Sequence, residues 1–412
     1  MSCKIKDLCE RIGSGGTPSR KNKSYYNLGN IKWLKTKELD DIKIYDTEEK
    51  ITEEGLKKSS AKLYPKDTIV MAMYGATVGK LGIIKEEMCT NQACCNMVVD
   101  SNKCNYKFLY YSLLYNRESI INLANGAAQQ NLSVGVIGDY EINLPSLEEQ
   151  EKIADILSSL DDKVELNNEM NKTLEEMAQS IFKRWFVDFE FPNEDGKPYK
   201  SSGGEMVDSE LGMIPKGWEV KALGDICEVK GGKRLPKGKA VLDEKTEYPY
   251  LRVTDITSGY VNMNSIKYID EETREKISRY IIEYSDLYIS IAGTIGLVGS
   301  INKELDGASL TENMARIICN NIEKYYMRLY LNYGEIQHLI KTRAVGSTQP
   351  KLPLYVIKDI PVLVPTDKVM NRFKEIIIPV YKSIEENLSN IETIVEIRDS
   401  LLPKLMSGEI KV

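Results

Sequence analysis

The residues from Gly126 to Pro145 read GAAQQNLSVGVIGDYEINLP, and those from Gly346 to Pro365 read GSTQPKLPLYVIKDIPVLVP. The two stretches agree at one constant offset, at the pairs Gly126/Gly346, Gln129/Gln349, Leu132/Leu352, Val136/Val356, Ile137/Ile357, Asp139/Asp359 and Pro145/Pro365. Solenoid repeats recur roughly every 20 to 50 residues. A stretch that recurs after about half of a 412-residue chain therefore indicates two copies of one domain.

The doubling extends well beyond this stretch. WLKTKEL (33–39) resembles YLRVTDI (250–256), and two further sets of positions match. They are Ile5, Asp7, Leu8, Cys9, Glu10 and Gly13 with Leu223, Asp225, Ile226, Cys227, Glu228 and Gly231, and Thr77, Gly79 and Gly82 with Thr294, Gly296 and Gly299. The offset drifts slowly between these sets, which indicates short loop insertions within a common fold.

The residues after the first copy, 146–190, predict one long helix. They contain neither Gly nor Pro, and Ser146 and Glu149 have the spacing of a capping box. The steps between the seam positions alternate between three and four residues, as in a coiled coil. The seam positions are Leu157, Leu160, Val164, Asn167, Asn171, Leu174, Ala178 and Ile181.

The residues after the second copy, 366–412, predict a second long helix with a similar seam. Pro379 is expected to kink it near its first turns, and Gly408 marks its end. The seam positions at this helix are Val380, Ile384, Asn387, Ile391, Ile394 and Leu401.

Two long helices with apolar seams need a partner, and each can serve as the partner of the other. If a two-fold axis relates the two copies, the helices pair antiparallel as a coiled coil. Asn167 and Asn387 lie on the seam. They either fix the register as buried polar residues or rim the seam and face water, and the sequence leaves both alternatives open.

These patterns divide the chain into five parts. The globular domains are residues 1–145 and 216–365, and the helices are residues 146–190 and 366–412, the latter with a C-terminal tail. Residues 191–215 are rich in Gly, Pro and Ser without an apolar period, which predicts a linker.

Each globular copy mixes strand-like and helix-like runs. The strand-like runs are residues 68–74, 81–85, 286–293 and 315–319, and the helix-like runs are residues 106–124 and 325–342. The predicted fold class is α/β, with two similar mixed α/β domains joined by two long antiparallel helices in an internal pseudo-two-fold repeat.

Composition excludes several classes of site. His338 is the only histidine, so a multi-histidine metal site is excluded. The eight cysteines form no CxxC pair and are expected to be reduced and mostly buried. No apolar run suits a signal peptide or a membrane span, so we expect a cytoplasmic chain without membrane contact.

Sequence motifs for catalysis are also missing. The glycine turn GATVGKLG (75–82) is one residue too short for a phosphate loop and lacks its hydroxyl. A tight turn between strands explains it better. Neither a dinucleotide loop nor the (D/N)PP(Y/F) tetrapeptide of amino-methyltransferases is present. The sequence therefore predicts a non-catalytic binding protein without a cofactor or metal of its own.

The net charge of −6 hides an uneven distribution. The helix of residues 146–190 carries 5 Lys+Arg and 12 Asp+Glu, whereas residues 1–145 carry 20 and 17. The globular domains are thus nearly neutral or weakly basic. This suits a protein that supplies sequence readout while a partner clamps the duplex.

The candidate DNA contacts lie on glycine-rich, cationic or amide-bearing turns that recur in both copies. Gln is suited to adenine, and Lys or Arg to guanine. The alternative is that these are ordinary polar turns. The candidates are Thr17, Ser19, Arg20, Lys35, Thr36, Lys37, Thr77, Lys80, Gln129, Gln130 and Asn131 in the first copy, and Lys233, Arg234, Arg252, Thr254, Thr294, Thr348, Gln349 and Lys351 in the second.

Three stretches resemble the DNA-specificity subunit of type I restriction–modification enzymes. They are LSSLDDKVELNNEMNKTLEEMAQSIFKRWFVDFEF (157–191), ELGMIPKGWEVKALGDI (210–226) and IRDSLLPKLMSGEI (397–410). The likeness covers essentially the whole chain, and IFKRWFVDF with the following IPKGWEV is its most specific part.

This resemblance implies two target-recognition domains, each reading one half of a bipartite DNA target, with the coiled coil as a spacer. It also implies two modification subunits, which bind S-adenosylmethionine and methylate adenine. Restriction subunits would add ATP- and magnesium-dependent translocation and cleavage. Two other classes remain as alternatives: a stand-alone methyltransferase or nuclease, and a coiled-coil scaffold or dimerisation protein without sequence-specific DNA binding.

Overall fold

The computed structural model describes residues 2–123, 131–257, 259–346 and 348–412. The chain forms two compact units. Unit 1 comprises residues 1–167 and 390–412, and unit 2 comprises residues 168–389. Each long helix therefore contributes one end to each unit.

Unit 1 contains the first globular domain, which is built from short strands and helices. The strands are β1 (Ser2–Lys4), β2 (Cys9–Ser14), β3 (Ile31–Leu34), β4 (Ile42–Ile44), β5 (Lys50–Ile51), β6 (Leu63–Tyr64), β7 (Ile69–Ala72), β8 (Leu81–Ile84), β9 (Met88–Thr90), β10 (Cys94–Val99) and β11 (Glu141–Asn143). The helices are α1 (Glu53–Lys57), α2 (Tyr106–Tyr115), α3 (Arg117–Asn122) and α4 (Val134–Asp139), followed by the long helix α5 (Leu147–Phe182).

Unit 2 contains the second domain. Its strands are β12 (Met206–Ser209), β13 (Gly212–Pro215), β14 (Glu219–Ala222), β15 (Glu228–Gly231), β16 (Pro249–Leu251), β17 (Ile256–Thr257), β18 (Tyr260–Val261), β19 (Lys267–Tyr268), β20 (Ile281–Ile282), β21 (Leu287–Ser290), β22 (Val298–Ser300), β23 (Ala308–Leu310), β24 (Met314–Ile318) and β25 (Pro361–Val364). Its helices are α6 (Leu223–Ile226), α7 (Glu271–Lys276), α8 (Lys324–Asn332), α9 (Gly334–Thr342) and α10 (Leu354–Lys358), followed by the long helix α11 (Asp367–Met406).

The sheets of the two units have the same strand order. In unit 1 one sheet runs β2-β10-β7-β8-β4, a second runs β5-β3-β9-β6, and β1 pairs with β11. In unit 2 the corresponding sheets run β15-β24-β21-β22 and β19-β16-β23-β20, and β14 pairs with β25. The central pair of the second sheet is parallel in both units, β3 with β9 and β16 with β23. The predicted repeat and the mixed α/β class are confirmed, and β4 is an addition in unit 1.

The strands that the apolar runs predict are buried. All residues of β7, β8 and β21 are buried, and so are those of β24 except its last. The helix-like runs are each divided into two shorter helices, α2 with α3 and α8 with α9. The exposed His338 lies on α9, which agrees with a position on a helix face.

The two long helices are confirmed, and they run antiparallel. In unit 2, Asn171 and Glu175 of α5 contact Asn387 and Tyr381 of α11. Trp185, in the helical segment Lys183–Val187 that follows α5, contacts Phe373. The residue numbers rise along the first helix while those of the partners fall. In unit 1, Asp161 pairs with Arg398 at 2.8 Å. The helix α11 is continuous through Pro379, whose side of the helix is exposed, so this proline does not end it.

The seam of α11 differs from the predicted one in its first turns. Tyr381 and Phe373 are fully buried there, whereas the predicted Val380 is only partly buried. The seam therefore lies one residue later at this point. Ile384 is fully buried as predicted, and Ile391, Ile394 and Leu401 are partly buried. On α5, Leu157 is fully buried, and Leu160, Val164, Leu174 and Ile181 are partly buried.

The seam asparagines are buried and do not face water. Asn167 and Asn387 are 1% and 8% exposed. Within unit 2, the side-chain amide of Asn387 donates to the side-chain oxygen of Asn171 at 2.8 Å. A buried amide pair of this kind suits a role in fixing the register, but its partner is Asn171, one helical turn after Asn167.

Residues 191–215, which the composition predicts to be a linker, make several contacts within unit 2. Phe191 stacks on Tyr199 at 4.6 Å and on Trp218 at 5.0 Å. The guanidinium of Arg372 donates to the carbonyl of Pro192 at 3.1 Å, and β12 pairs with β13 as a hairpin. The segment makes these contacts although it has no apolar period.

Candidate nucleic-acid interface

The glycine-rich loop of each domain is placed by a close backbone approach. A Cβ added at Gly15 would lie 2.2 Å from the carbonyl oxygen of Thr90, and one at Gly232 would lie 2.0 Å from that of Thr311. Only glycine fits at such distances. Both loops therefore cross their second sheet at the same point, just past the ends of β9 and β23.

In unit 1 the structure brings together three predicted cationic residues around two carboxylates. Arg20 donates to Glu49 at 2.5 Å, and Lys35 lies 2.7 Å from Glu49 and 3.2 Å from Glu48. Lys37 also pairs with Glu48. Hydrogen bonds from Arg20 and then Lys35 lower the pKa of Glu49 to about 2. The cluster therefore keeps both carboxylates ionised and has one net positive charge.

Aromatic rings fix the position of Arg20. Its guanidinium carbon lies 4.4 Å above the ring of Tyr26 and 4.9 Å above that of Trp33. The indole of Trp33 donates to the carbonyl of Gly16 at 3.0 Å, which ties these rings to the glycine loop. A cation held in this way is pre-organised to meet a phosphate or a base edge. Half of its side chain, 52%, is still exposed.

The neighbouring hydroxyl residues differ in exposure. Thr17 donates from its hydroxyl to the side-chain oxygen of Gln92. Ser19 is exposed, and Thr36 is half-buried in a short helical turn of residues Thr36–Glu38. Thr17 and its partner Gln92 together present hydrogen-bonding groups beside the cationic cluster.

A second group of predicted residues in unit 1 lies on the turn between β7 and β8. Gly75 and Gly79 adopt φ values of 89° and 81°, which confirms a tight glycine turn. Lys80 pairs with Asp40 at 2.9 Å, and Thr77 is half-buried. Asn131 is exposed, and the next residue donates to the carbonyl of Met73, at the start of this turn, at 2.7 Å. Gln129 and Gln130 lie outside the described residues.

Unit 2 repeats this second group. Leu352 donates its amide to the carbonyl of Ile291 at 2.8 Å, as Leu132 does in unit 1. The backbones of Val345 and Lys351 exchange two hydrogen bonds, at 2.8 and 2.9 Å. Lys351 also bridges to Ala292, beside the turn that carries Thr294. The structure thereby brings four exposed residues to one edge: Thr294, Thr348, Gln349 and Lys351.

The glycine loop of unit 2 carries Lys233 and Arg234. Lys233 lies 5.5 Å from the ring centre of Tyr280, and its carbonyl accepts a hydrogen bond from the hydroxyl of Tyr250 at 3.0 Å. Arg234 pairs with Glu312 at 2.6 Å while 82% of its side chain is exposed. The pair Arg234–Glu312 occupies the place of the pair Thr17–Gln92 in unit 1, since both flank the same close approach.

Arg252 is held inside the domain, although the sequence predicts a DNA contact. Its guanidinium donates to both carboxylate oxygens of Asp255, at 2.6 and 3.1 Å, and to the carbonyl of Ser265 at 2.9 Å. Asp255 is fully buried. Most donors of Arg252 are thus used within the fold, whereas the neighbouring Thr254 is exposed. Lys35 has the corresponding position in unit 1, where its backbone amide donates a hydrogen bond to the side-chain carboxylate of Glu38 at 3.0 Å.

Unit 1 carries a charge pattern that extends beyond the candidate residues. Residues 11–37 contain no Asp or Glu. They carry Arg11, Arg20, Lys21, Lys23, Lys32, Lys35 and Lys37. The exposed Lys21 and Lys23 extend the cationic cluster along the glycine loop. Gln92 and Glu312 are also missing from the candidates, because a residue that faces a loop from a distant strand end leaves no local signal.

The described residues offer little for covalent or metal chemistry. Burial raises the pKa of Cys9, Cys89 and Cys104 to about 12, so these thiols stay protonated near neutral pH. Among the described residues, no cluster of His, Cys, Asp and Glu could hold a metal ion. Within the same residues, no helix is long and apolar enough to cross a membrane.

Comparisons with known proteins agree with this arrangement. Residues 1–176 and 215–393 match the family described as "Type I restriction modification DNA specificity domain". The chain is 30% identical to the type I restriction enzyme MjaIX specificity subunit of Methanocaldococcus jannaschii, over 99% of this chain and 93% of the relative. It is 24% identical to the HindI specificity subunit of Haemophilus influenzae, over 74% and 77% of the two chains.

A solved structure shows the same fold. The S subunit of a type I restriction–modification system from M. genitalium aligns with a TM-score of 0.59 at 19% identity, over 98% of this chain and 95% of that one. The family match covers both recognition domains and most of both long helices. The chain therefore belongs to the family of type I restriction–modification DNA-specificity proteins.

Proposed function

We propose that this chain is the non-catalytic DNA-reading subunit of a type I restriction–modification enzyme, in which each recognition domain reads one half of a bipartite double-stranded DNA target. One observation carries the proposal. The two domains have the same strand order and present loops at the same places, but with different side chains. Thr17 and Gln92 of unit 1 correspond in position to Arg234 and Glu312 of unit 2. Two similar domains that present different polar groups suit two different half-sites.

The charges of the interface support DNA as the ligand. Residues 11–37 have seven cationic and no acidic side chains, and Arg20, Lys21, Lys23 and Lys37 are exposed within that stretch. Phosphate contacts position a protein on the duplex, while base contacts specify the sequence. The cationic loop suits the first task, and the exposed Gln349 and Lys351 of unit 2 suit the second.

The catalytic steps belong, in this proposal, to partner subunits. Two modification subunits bind S-adenosylmethionine and methylate adenine, and restriction subunits use ATP and magnesium for translocation and cleavage. This chain then needs no cofactor of its own. The names of its relatives favour this function over the alternative of a scaffold without DNA specificity.

The test is a methylation map. The chain is co-expressed with the modification subunit encoded beside it, and methylated adenines are located across the host genome. We expect one motif of two specified parts separated by unspecified bases. Replacing residues 216–365 by the corresponding domain of a relative should change one part of the motif only. A stable complex that methylates no motif would contradict the proposal.

A single-residue arm tests the assignment of the halves. Gln349 of unit 2 is exposed, two residues before Lys351. Gln349→Ala should relax the choice of base in one half-site and leave the other half unchanged. His338→Ala, on an exposed helix face of the same unit, is the matched control and should leave the motif unchanged. An unchanged motif in Gln349→Ala would remove this residue from the readout.

A further inference from the structure

Leu28 has an unusual combination of exposure and backbone conformation. Its relative exposure is 101%, so its whole side chain lies in solvent. Its φ is 57°, in the left-handed region that favours glycine and asparagine over branched residues such as leucine. Exposure and backbone strain are both unfavourable for the isolated protein. Strain that a fold maintains in this way points from structure to function.

The loop around Leu28 is held firmly. The amides of Asn27 and Gly29 donate to the carbonyls of Lys23 at 2.9 Å and Tyr26 at 3.1 Å. The hydroxyl of Tyr26 donates to the carbonyl of Pro18 at 2.6 Å. A Cβ added at Gly29 would lie 2.6 Å from the backbone of β5, so the chain is pressed against that strand. Leu28 is thus displayed on a fixed turn.

The surroundings of this turn are cationic. Tyr26, two residues before Leu28, lies under the guanidinium of Arg20 at 4.4 Å. Lys21 and Lys23 are exposed on the same loop, within the stretch that has no acidic residue. An exposed apolar residue beside exposed cations matches a polyanion that has apolar surface between its charges. Duplex DNA has this character, since its stacked bases lie between two rows of phosphates.

The second domain has a different residue at this place. Gly15 and Gly232 make the same close approach, and the same number of residues separates each from the parallel strand end at Leu34 or Leu251. The two loops therefore have equal length, and by residue count Leu28 corresponds to Lys245. Lys245 is exposed and suits a phosphate contact. Only the first domain therefore has an apolar residue at this position.

We propose that Leu28 is an apolar wedge that enters the base stack of the half-site read by the first domain. Leucine is among the residues that proteins insert between base steps, where they partly unstack the bases and bend the duplex. Arg20, Lys21 and Lys23 would hold the phosphates on either side. A step that unstacks easily would be preferred at this position, which adds specificity through deformability. This inference rests on the proposed function.

The experiment uses the complex of this chain with its modification subunit and duplexes that carry its methylation motif. The fluorescent adenine analogue 2-aminopurine replaces, in turn, each adenine on either strand in and beside the first domain's half-site, except the adenine that is methylated. That adenine is omitted because methyltransferases flip their target base, which would also raise the fluorescence. With the unaltered chain, we expect raised fluorescence at one step.

Leu28→Asn is the decisive variant, because asparagine tolerates the left-handed conformation. Its melting temperature should be equal to or above that of the unaltered chain. Its fluorescence increase should disappear, and its affinity for the target should fall about tenfold. Lys245→Asn is the matched control in the second domain. It should weaken binding in a salt-dependent manner and keep the fluorescence increase.

The other outcomes each decide the question. If Leu28→Asn binds DNA with unchanged affinity and fluorescence, the wedge is wrong. If Leu28→Asn fails to assemble with the modification subunit in the absence of DNA, the residue docks a protein partner and the wedge is again wrong. If the unaltered complex has no bipartite motif, the proposed function fails. That result is obtained before any variant is made, so it can be distinguished from a failure of the wedge proposal.

Discussion

The two units share a strand order but differ in how each recognition domain is joined to the long helices. In unit 2, Glu175 of α5 accepts hydrogen bonds from Arg328 of α8 at 2.6 Å and from the hydroxyl of Tyr381 of α11 at 3.1 Å. Tyr260 also donates to Glu175. In unit 1, Asp161 of α5 accepts from Tyr111 of α2 at 2.6 Å and from Arg398 of α11 at 2.8 Å.

The apolar packing around these joints differs as well. In unit 2, the ring of Phe186 lies 4.8 Å from those of Tyr326 and Phe373 and 5.7 Å from that of Trp218. In unit 1, the end of α11 places Leu405 and Met406 in a buried cluster with Phe108, Tyr110 and Tyr111 of α2. The two units thus connect the globular domain to the long helices in different ways. In both, a carboxylate on α5 accepts hydrogen bonds from the globular domain and from α11.

The largest effect is expected for Glu175→Ala. Arg328, with 5% of its side chain exposed, would keep its charge without a carboxylate partner. Breaking one side of such a pair costs several kcal/mol, and we expect a loss of about 3 kcal/mol in the free energy of unfolding of unit 2. Urea titrations followed by the fluorescence of Trp185 and Trp218 measure it. Glu176→Ala, one residue further and exposed, is the control. A loss below about 0.5 kcal/mol would show that Arg328 does not depend on Glu175.

A smaller effect is expected for Asp161→Ala in unit 1. Asp161 and Arg398 have 23% and 26% of their side chains exposed, so water replaces part of the lost interaction. We expect a loss of about 1 to 2 kcal/mol in the free energy of unfolding. Trp33, in unit 1, reports it by fluorescence. Asp155→Ala, exposed on the same helix, is the control. A loss as large as that of Glu175→Ala would erase the contrast between the joints.

The next prediction exchanges the reading groups of the two domains. Arg234→Thr together with Glu312→Gln gives unit 2 the side chains that unit 1 has at these places. We expect the preferred bases of the second half-site to change, with about 1 kcal/mol of discrimination lost at one position. A methylation map measures the change. Arg234→Lys keeps the charge and should alter the motif less. An identical motif in all three chains would place the readout elsewhere.

The smallest effect concerns the acid stability of the cationic cluster. Hydrogen bonds from Arg20 and Lys35 lower the pKa of Glu49 in the folded chain to about 2. The stabilisation is present above the ordinary carboxyl pKa and is lost as the pH falls from about 4.5 towards 2. Because 34% of the Glu49 side chain is exposed, we expect less than about 1 kcal/mol. Unfolding free energies measured at several pH values should show this slope, and Glu49→Gln should lack it. Equal slopes in both chains would exclude the contribution.

Prediction from sequence succeeded where the signal is local or repeated. The repeat, the α/β class, the buried strands and both long helices follow from matched positions and from apolar periods of two or of three to four residues. Apolar residues recur at a regular spacing because each strand or helix packs one face against the core. Leu157 and Ile384 are buried as their spacing predicts.

Prediction failed where a contact joins residues that are distant in sequence. The seam of α11 lies at Tyr381 and not Val380, because the packing of unit 2 selects the aromatic residue. Within the segment of residues 191–215, the contacts of Phe191 with Trp218 and of Pro192 with Arg372 were not predicted either. Neither partner can be recognised from the composition of the segment itself.

The number of domains, their class, the long helices and the family can be predicted from the amino-acid sequence alone, because apolar periods and matched positions carry them. The availability of a cationic residue to a ligand, in contrast, depends on tertiary contacts. Arg234 is exposed, whereas Arg252 is bound to the buried Asp255. Both belong to the same kind of polar loop, and the direction of a side chain depends on the partners that folding brings near. The exposure of Leu28 on its fixed turn was decided in the same way.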